Sequence, residues 1–274
     1  MKLSKITLAV TCMAFSATAL ASTADIQASN NQAAVKVTST HVDYTETGSG
    51  IFGTPTGTLD TESGNVSGYE LSVSTMKNWW LGNDYLELQY SHNSGNTNYV
   101  GQLISGGAGY GSIVSSSGAT LTDYSIRYGK GFVVSDGFML TPYAELGHHK
   151  WDRGVNEGET YTDNYYGLGA LAQFSPADGM VLTANALAGS TFGSNISVSG
   201  PDAFSGSLGN STLYKVGIGA DYAFTRHFHA DVGLDYTSFK YGMSALYPVP
   251  GGVAWEPDST THYTTLKLGV GYAF

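Results

Sequence analysis

The ionisable residues that could do chemistry follow a simple rule of spacing. They stand at alternate positions within segments whose intervening residues are large and apolar. A set spaced in this way lines one face of a sheet, where opposite charges neutralise each other or a surplus of carboxylates attracts cations. Six acids and three bases form the set: Glu70, Glu87, Arg127, Glu145, Lys215, Asp221, Asp231, Asp235 and Lys267.

Two histidine-containing segments have residue types suited to hydrolysis. The first combines two histidines with two nearby acids: His148, His149, Asp152 and Glu157. The second is the run Ser91 to Ser94, in which a serine directly precedes His92. Neither segment supplies a nucleophile, a base and an orienting acid together, so the sequence predicts no catalytic site.

The composition limits the environment of these residues. Charged residues make up 12% of the 274 positions, about half the usual share in soluble domains, while aromatic residues make up another 12% and include 19 tyrosines. Something other than water is therefore expected to face much of the surface. The formal net charge of −10 excludes nucleic acid as a partner, because phosphate binding needs clustered Lys and Arg.

The N-terminus resembles a secretory signal peptide in three respects. Lys2 and Lys5 precede an apolar run over residues 6–20, and the small residues Ala19 and Ala21 follow the pattern of a cleavage site. The run is too short to span a bilayer as a helix. We therefore predict a signal peptide over residues 1–21 and export of the remaining chain.

The exported chain is expected to contain no thiol. Cys12 is the single cysteine and lies inside the predicted signal peptide. Metal-thiolate sites and cysteine nucleophiles are thereby excluded, and the sequence predicts neither a cofactor nor a metal. Residues 22–34 form a short polar lead to the domain that follows.

From residue 35 to residue 274, large apolar residues alternate with small or charged ones. About ten such segments occur, each of roughly ten residues, which is enough for a tilted strand to cross a bilayer. The connections are alternately short and long, as in an up-and-down meander. The short ones lie near 77–84, 133–137, 175–179 and 225–227, and the long ones near 48–65, 91–120, 149–163, 193–211 and 241–261.

The first strand is the least regular. Val35 and Val37 fall on one phase of the alternation, whereas Val42 and Tyr44 fall on the other. A β-bulge between these pairs would bring both onto the same face. We therefore predict a bulge within residues 35–46.

These features predict an all-β fold, a closed antiparallel transmembrane β-barrel of about ten strands. A soluble sheet would seldom place so many glycines on its solvent face, and a sheet in lipid must close because lipid cannot hydrogen-bond its edges. Aromatic residues at both strand ends predict two interfacial girdles. They are Tyr124, Tyr166, Tyr214, Tyr236 and Tyr263 at the long-loop end, and Trp79, Trp80 and Phe224 at the short-turn end.

The last strand carries a family resemblance. Apolar residues alternate up to a terminal phenylalanine: Leu266, Leu268, Val270, Tyr272 and Phe274. This pattern resembles the closing strand of Gram-negative outer-membrane proteins, and the chain looks like the small monomeric barrels of the OmpA-like and opacity-protein kind. The resemblance implies location in the bacterial outer membrane, insertion by the barrel-assembly machinery, and contact with lipids and lipopolysaccharide. Eight strands, the commonest number in that group, is the alternative to ten.

Three functions stay open for such a barrel. Long, sparsely charged connections favour a structural or surface-interaction role, with adhesion to an unidentified host or cell-surface ligand, or contact within the envelope. The surplus of carboxylates favours a small cation-preferring pore as the alternative. An outer-membrane enzyme, either an omptin-like protease or a lipid-modifying barrel, is the third.

Overall fold

The computed structural model describes residues 22–51, 54–102, 108–156 and 158–274. The predicted signal peptide, including Cys12, lies outside the described residues. One helix and fourteen strands occur: α1 (Thr23–Ser29), β1 (Gln32–Ser49), β2 (Thr56–Lys77), β3 (Asp84–Gly101), β4 (Ile113–Lys130), β5 (Phe132–Ser135), β6 (Phe138–Arg153), β7 (Glu159–Ala177), β8 (Met180–Val198), β9 (Phe204–Ser207), β10 (Thr212–Ala223), β11 (Phe228–Tyr241), β12 (Tyr247–Val249), β13 (Gly252–Ala254) and β14 (Asp258–Ala273), as counted in the described part of the chain.

Ten of these strands form a closed antiparallel ring. Each pairs with its neighbours along the chain, and the ring closes where β1 pairs with both β2 and β14. The short strand β5 pairs with β6 directly after the end of β4, while β9 and the β12–β13 hairpin belong to connections. The predicted ten-stranded barrel is therefore confirmed.

The strands are longer than predicted. They reach 22 residues in β2, so the loops predicted over 48–65 and 91–120 are wrong: the chain links β1 to β2 through residues 50–55 and β3 to β4 through residues 102–112. These segments looked like loops because they are rich in Ser, Thr, Gly and Asn. The short connections are as predicted, and Gly137 and Gly179 adopt φ values of 70° and 71° in the turns after Asp136 and Asp178.

The alternation of β1 reverses along the strand without a bulge between its two valine pairs. Val35 and Val37 are 48% and 65% exposed on the outer wall, whereas Val42 and Tyr44 are fully buried inside the barrel. The single register shift between β1 and β2 lies beyond them, at Glu46/Thr47. The irregularity therefore lies at the end of the predicted span and does not cause the change of phase. The pattern reverses because the strand passes from lipid, where apolar groups face outward, into water, where they face inward.

The upper half of the barrel, farthest from the chain termini, contains a cluster of buried aromatic side chains. Trp151 and Tyr161 stack with ring centroids 5.7 Å apart, and Tyr44 meets Trp151 edge-on at 5.3 Å. Tyr161 also packs against Tyr241 at 5.0 Å. All four side chains are fully buried. This half is built like a soluble barrel, with a core inside and polar residues outside.

Helix α1 closes the opposite, lower end. Ser22 caps it by accepting a hydrogen bond from the backbone N–H of Ala24, and Ile26 is fully buried among the core residues. Beyond the helix, Asn30 and Gln173 exchange two hydrogen bonds of 2.8 and 2.9 Å. The polar lead predicted over residues 22–34 thus contains a helix and the first residues of β1. Among the described residues, no helix is long and apolar enough to cross a bilayer.

The apolar belt of the lower half generates a prediction. Ile218 lies midway along β10 and is 61% exposed on the outer wall, so Ile218→Arg should lower the free energy of unfolding by about 2–4 kcal/mol in lipid bilayers. His41→Arg, which is outward-facing but above this belt, should change it by less than about 0.5 kcal/mol. Urea unfolding in liposomes measures both. Equal effects of the two substitutions would contradict the assigned membrane level.

Candidate functional site

The lumen of the lower half holds the first group of predicted charges. The guanidinium of Arg127 lies between two carboxylates, 2.9 Å from Glu87 Oε2 and 2.8 Å from Glu145 Oε2. Lys215 Nζ lies 2.9 Å from the other oxygen of Glu145, and Tyr165 donates to that same oxygen at 2.9 Å. Glu145 is 2% exposed, so its charge is balanced by two bases inside the barrel.

A second group surrounds Glu70 on the opposite side. Lys267 pairs with Glu70 and lies 2.7 Å from Asp235 Oδ2. Lys36 Nζ lies 3.3 Å from Glu70 Oε1. The sequence analysis missed Lys36, which lies between Val35 and Val37, because the alternation of the first strand changes phase before Val42 and Tyr44. Its inclusion raises the number of bases in the network to four against six carboxylates, so the negative surplus is smaller than predicted.

The remaining predicted charges lie near the lower end. Asp221 Oδ1 is 2.7 Å from the Nδ1 atom of His229, and Gln32 donates to Asp221 Oδ2 at 3.4 Å. Asp231 stands opposite Asp221 in the register of β10 and β11. All nine predicted residues therefore point into the lumen. All of them except Glu145 line a polar cavity of about 260 Å³ that lies above α1.

The upper half contains a charged cluster that sequence analysis missed. Arg153 is 2% exposed, and its guanidinium lies 3.1 Å from Asp60 Oδ1 and 3.0 Å from Glu159 Oε2. It also pairs with Glu62 and lies over the Tyr44 ring, 4.4 Å from the centroid. Arg153 and its three acidic partners stand in segments whose composition predicts loops. Only the recurrence of the alternation within those segments could have revealed them.

This upper cluster has more carboxylates than its single arginine balances. Glu256, on the segment before β14, is buried beside Arg153 and accepts a hydrogen bond of 2.6 Å from Tyr161. Burial, reinforced by repulsion from Glu159, raises the pKa of Glu256 to about 8. Burial and the charge of Glu256 also raise the pKa of Glu46 well above its usual range. Carboxyl groups in this cluster therefore hold protons at neutral pH.

The histidine segments place His149 beside Asp123 inside the barrel. His149 is buried and points inward, with its Nδ1 atom 2.6 Å from Asp123 Oδ1 and its Nε2 atom 3.1 Å from the Tyr263 hydroxyl. Ser91 donates to Asp123 at 3.3 Å, so the serine contacts the acid and not the histidine. The hydrogen bonds of His149 are therefore to Asp123 and Tyr263, and the hydrogen bond of Ser91 is to Asp123.

The other residues of those segments lie apart from this pair. His92 and His148 face outward, where the Nδ1 atoms lie 3.1 Å from Thr122 Oγ1 and 2.9 Å from Asn164 Oδ1. Asp152 also faces outward and pairs with Lys150 at 2.8 Å. Glu157 lies outside the described residues.

The predicted girdle residues lie at the two ends of the apolar belt, with one exception. Seven are exposed on the outer wall or at the lower turns: Trp79, Trp80, Tyr124, Tyr166, Tyr214, Phe224 and Tyr236. Tyr263 was assigned to the upper girdle, but it is 7% exposed and points inward. Tyr263 lies above the level at which the alternation reverses. At that level the apolar side chains of β14 face the interior of the barrel.

The predicted assembly signal lies on β14 and on Phe274, the residue that follows it. Its five side chains are between 47% and 60% exposed on the outer wall: Leu266, Leu268, Val270, Tyr272 and Phe274. The strand closes the ring by pairing with β1, and Phe274 N–H donates to the carbonyl of Asn31 at 3.0 Å. Recognition of this segment by the assembly machinery stays a prediction.

Comparison with solved structures identifies the architecture. The outer-membrane protease OmpT from Escherichia coli superimposes with a TM-score of 0.57 at 9% sequence identity, covering 89% of this chain and 97% of that one. The chain has the fold of the outer-membrane β-barrels. At this identity the likeness to OmpT shows the fold of the barrel alone.

Two other solved outer-membrane barrels resemble it more distantly. The β-domain of the Bordetella autotransporter BrkA gives a TM-score of 0.40 at 15% identity, covering 89% of this barrel and all of that chain. OprG from Pseudomonas aeruginosa gives 0.35 at 10% identity, covering 89% and 98%. No family model and no curated protein sequence matches the barrel.

The raised pKa of Glu256 generates a pH prediction. Its pKa of about 8 exceeds the ordinary value of 4.5, so between these limits the folded barrel holds a proton that the unfolded chain releases. The contribution of Glu256 to stability should therefore be full below about pH 4.5 and should fall as the pH rises from about 5 to 8. Glu256→Gln, which is neutral at every pH, should flatten this decline.

Urea unfolding midpoints, followed by the gel migration of unheated samples from pH 5 to pH 8, measure the effect. The exposed Asp202, which lies in the segment after β8, provides the control substitution Asp202→Asn. Asp202→Asn should show the same pH profile as the wild type. An equally steep decline in Glu256→Gln would contradict the assignment of this pH dependence to Glu256.

Proposed function

We propose that this outer-membrane barrel is a non-conducting surface-interaction protein whose upper half carries a contact site for another surface, as in adhesion or contact within the envelope. The observation that carries the proposal is a group of exposed apolar side chains at the upper tips, outside the apolar belt. Val114 is 71% exposed, Val253 53% and Tyr110 47%. Exposed apolar groups clustered in water are typical of sites that contact other molecules.

The positions of these tips support a single contact area. Tyr110 lies in the β3–β4 connection, and Val114 lies at the start of β4. Ile51 lies in the β1–β2 connection, and Leu246 and Val253 lie in the segment between β11 and β14. Those three connections are consecutive around the ring, because β14, β1, β2 and β3 are neighbours. The strands beneath them are continuous down to the membrane, so the tips rest on a rigid support.

The filled lumen supports a non-conducting barrel over a pore. An ion entering from below meets α1, with Ile26 and the Asn30–Gln173 pair. An ion entering from above meets Arg153 and the stacked aromatic rings, which are buried. Conduction needs a continuous polar path, and the polar cavity lies between these two layers.

The contact proposal is tested by removing the apolar tips. Val114→Ser together with Val253→Ser should lower attachment of cells displaying the barrel by about tenfold or more, because each buried valine contributes roughly 1.5 kcal/mol or more to a contact. Attachment to cultured epithelial cells and to bacteria of the same strain are the two measurements. Both substitutions lie outside the lumen, so the folded barrel should be retained.

The matched control replaces Ser197, which is exposed on β8 across the ring, by Ala. Heat-modifiable gel migration should show that the control and the double variant both reach the outer membrane folded. Unchanged attachment of the double variant in both assays would remove the contact proposal.

A separate measurement addresses conduction. The purified wild-type barrel in a planar bilayer should give no stepwise current, because both ends of the lumen are filled. Stepwise, cation-selective current from the wild type would overturn the non-conducting part of the proposal and favour the pore.

A further inference from the structure

The charge network of the lower lumen contains more carboxylates than lysines and arginines. Four carboxylates form ion pairs with these bases: Glu70, Glu87, Glu145 and Asp235. Among the described residues, the other two acids of the network, Asp221 and Asp231, have no ion pair with a lysine or arginine. The negative surplus of the network is therefore concentrated at these two carboxyl groups.

The two acids lie side by side. Asp221 on β10 and Asp231 on β11 stand directly opposite each other in register, and both line the polar cavity above α1. Residues in such positions have Cβ atoms about 4.5–5.5 Å apart, and like charges there repel each other. The ammonium of Lys36 attracts Asp231, but it also lies 3.3 Å from Glu70. Its charge is thus shared with an acid that is already paired.

Gln32 on β1 brings a third oxygen to the same place. It is 9% exposed, and its Nε2 atom donates to the carbonyl of Ser29 at 2.9 Å and to Asp221 Oδ2 at 3.4 Å. Because that carbonyl only accepts, the bond fixes which end of the amide is the nitrogen. The Oε1 atom lies over Gly271, where a Cβ would collide with it and would stand 3.4 Å from Asp231 Oδ2. Glycine at position 271 therefore leaves the space in which the two oxygens converge.

Both converging atoms are buried acceptors. Among the described residues, neither Gln32 Oε1 nor Asp231 Oδ2 has a hydrogen-bond donor. They cannot satisfy each other, because an amide oxygen and a carboxylate oxygen both accept. A buried acceptor without a partner is costly, and more so when it is charged. The two atoms therefore share a requirement for one positively charged group between them.

His229 orients the remaining carboxylate. Its Nδ1 atom lies 2.7 Å from Asp221 Oδ1, and the residue is 2% exposed. This contact engages one oxygen of Asp221 and leaves Oδ2, the oxygen that faces Gln32, to a further ligand. Carboxylates that bind metals are commonly held by a hydrogen bond of this kind.

We propose that Asp221, Asp231 and Gln32 bind one calcium ion inside the lower lumen. Calcium prefers carboxylate and amide oxygens, tolerates irregular geometry and completes its shell with water, for which the adjoining cavity of about 260 Å³ has room. Its two charges balance the two unpaired carboxylates. No three acidic, histidine or cysteine side chains among the described residues form a metal-binding group, so the Gln32 amide is needed as the third ligand.

The filled ends of the lumen make this ion a resident of the fold and not a transported one. The cavity lies between α1 and the buried upper layer, so an ion enters before the ring closes or when α1 opens. The expectation of no metal rested on the missing thiol, and Gln32 lies in the predicted polar lead, outside the alternating segments. The inference goes beyond the proposed contact at the tips and does not depend on it.

The experiment measures the calcium bound to the barrel after refolding in nonionic detergent with millimolar CaCl₂ and removal of free ions. Mass spectrometry of the elements should find about one calcium per wild-type barrel. Asp231→Asn and Gln32→Met should each lower the affinity at least about tenfold, because each removes a ligand of a charged group. Calcium should also raise the urea midpoint of the wild type, since only the folded chain assembles the site.

Asp235→Asn is the matched control, because it removes the same charge from the same strand at an acid that pairs with Lys267. It should load calcium as the wild type does, and all variants should first show heat-modifiable migration as folded barrels. Magnesium at the same concentration should load less, since it requires a regular octahedral shell. EDTA should prevent loading when present during refolding and should remove the ion only slowly when added afterwards.

Four results would overturn the proposal. The first is a folded wild type that contains no calcium, and the second is preferential loading of magnesium. The third is equal calcium loading of the wild type, Asp231→Asn and Gln32→Met, which would indicate an adventitious ion only. The fourth is an equal loss of calcium in the control Asp235→Asn, which would indicate a response to the overall charge of the lumen and not to this site.

Discussion

In hydrocarbon, a peptide N–H or C=O without a partner costs several kcal/mol, and no water is present to supply one. This constraint governs the lower half of the barrel. It requires the sheet to close, which occurs where β1 pairs with β14 over sixteen residue pairs from Gln32 to Thr47. The closed ring encloses a lumen that is too narrow to remain empty. The charges that fill it are consequences of the ring and not independent features of the sequence.

The filling of the lumen differs between the two halves because their surroundings differ. Next to lipid, the apolar side chains face outward. The lumen is therefore filled by ion pairs such as Arg127 with Glu145 and Lys267 with Glu70. Above the lipid, the outer surface meets water, so apolar side chains face inward. Trp151 and Tyr161 form part of the resulting core. Arg153 with its excess of acids lies inside this core. Its burial among acids makes the upper half sensitive to pH while the lower half is held by nearly balanced pairs.

The sequence predicts most of the lower half and little of the upper half. The nine lumen charges were found because each stands at an alternate position in a segment whose other face is plainly apolar. Lys36 was missed because the first strand changes phase between Val37 and Val42, so neither of its faces is uniformly apolar. Arg153, Glu62 and Tyr263 were missed or misplaced for a different reason. In the upper strands Ser, Thr and Asn face water, and without knowledge of the membrane boundary this polarity looks like a loop.

The reversal of the alternation along β1 has a mechanical consequence. Sliding the barrel along the membrane normal by one pair of residues, about 7 Å, would bring His41 into hydrocarbon or Val37 into water. The same penalty applies on every strand that carries the reversal, so the penalties add around the circumference. The molecule therefore has one preferred immersion depth and little freedom to tilt. A surface feature on its wall meets the same layer of the leaflet at all times.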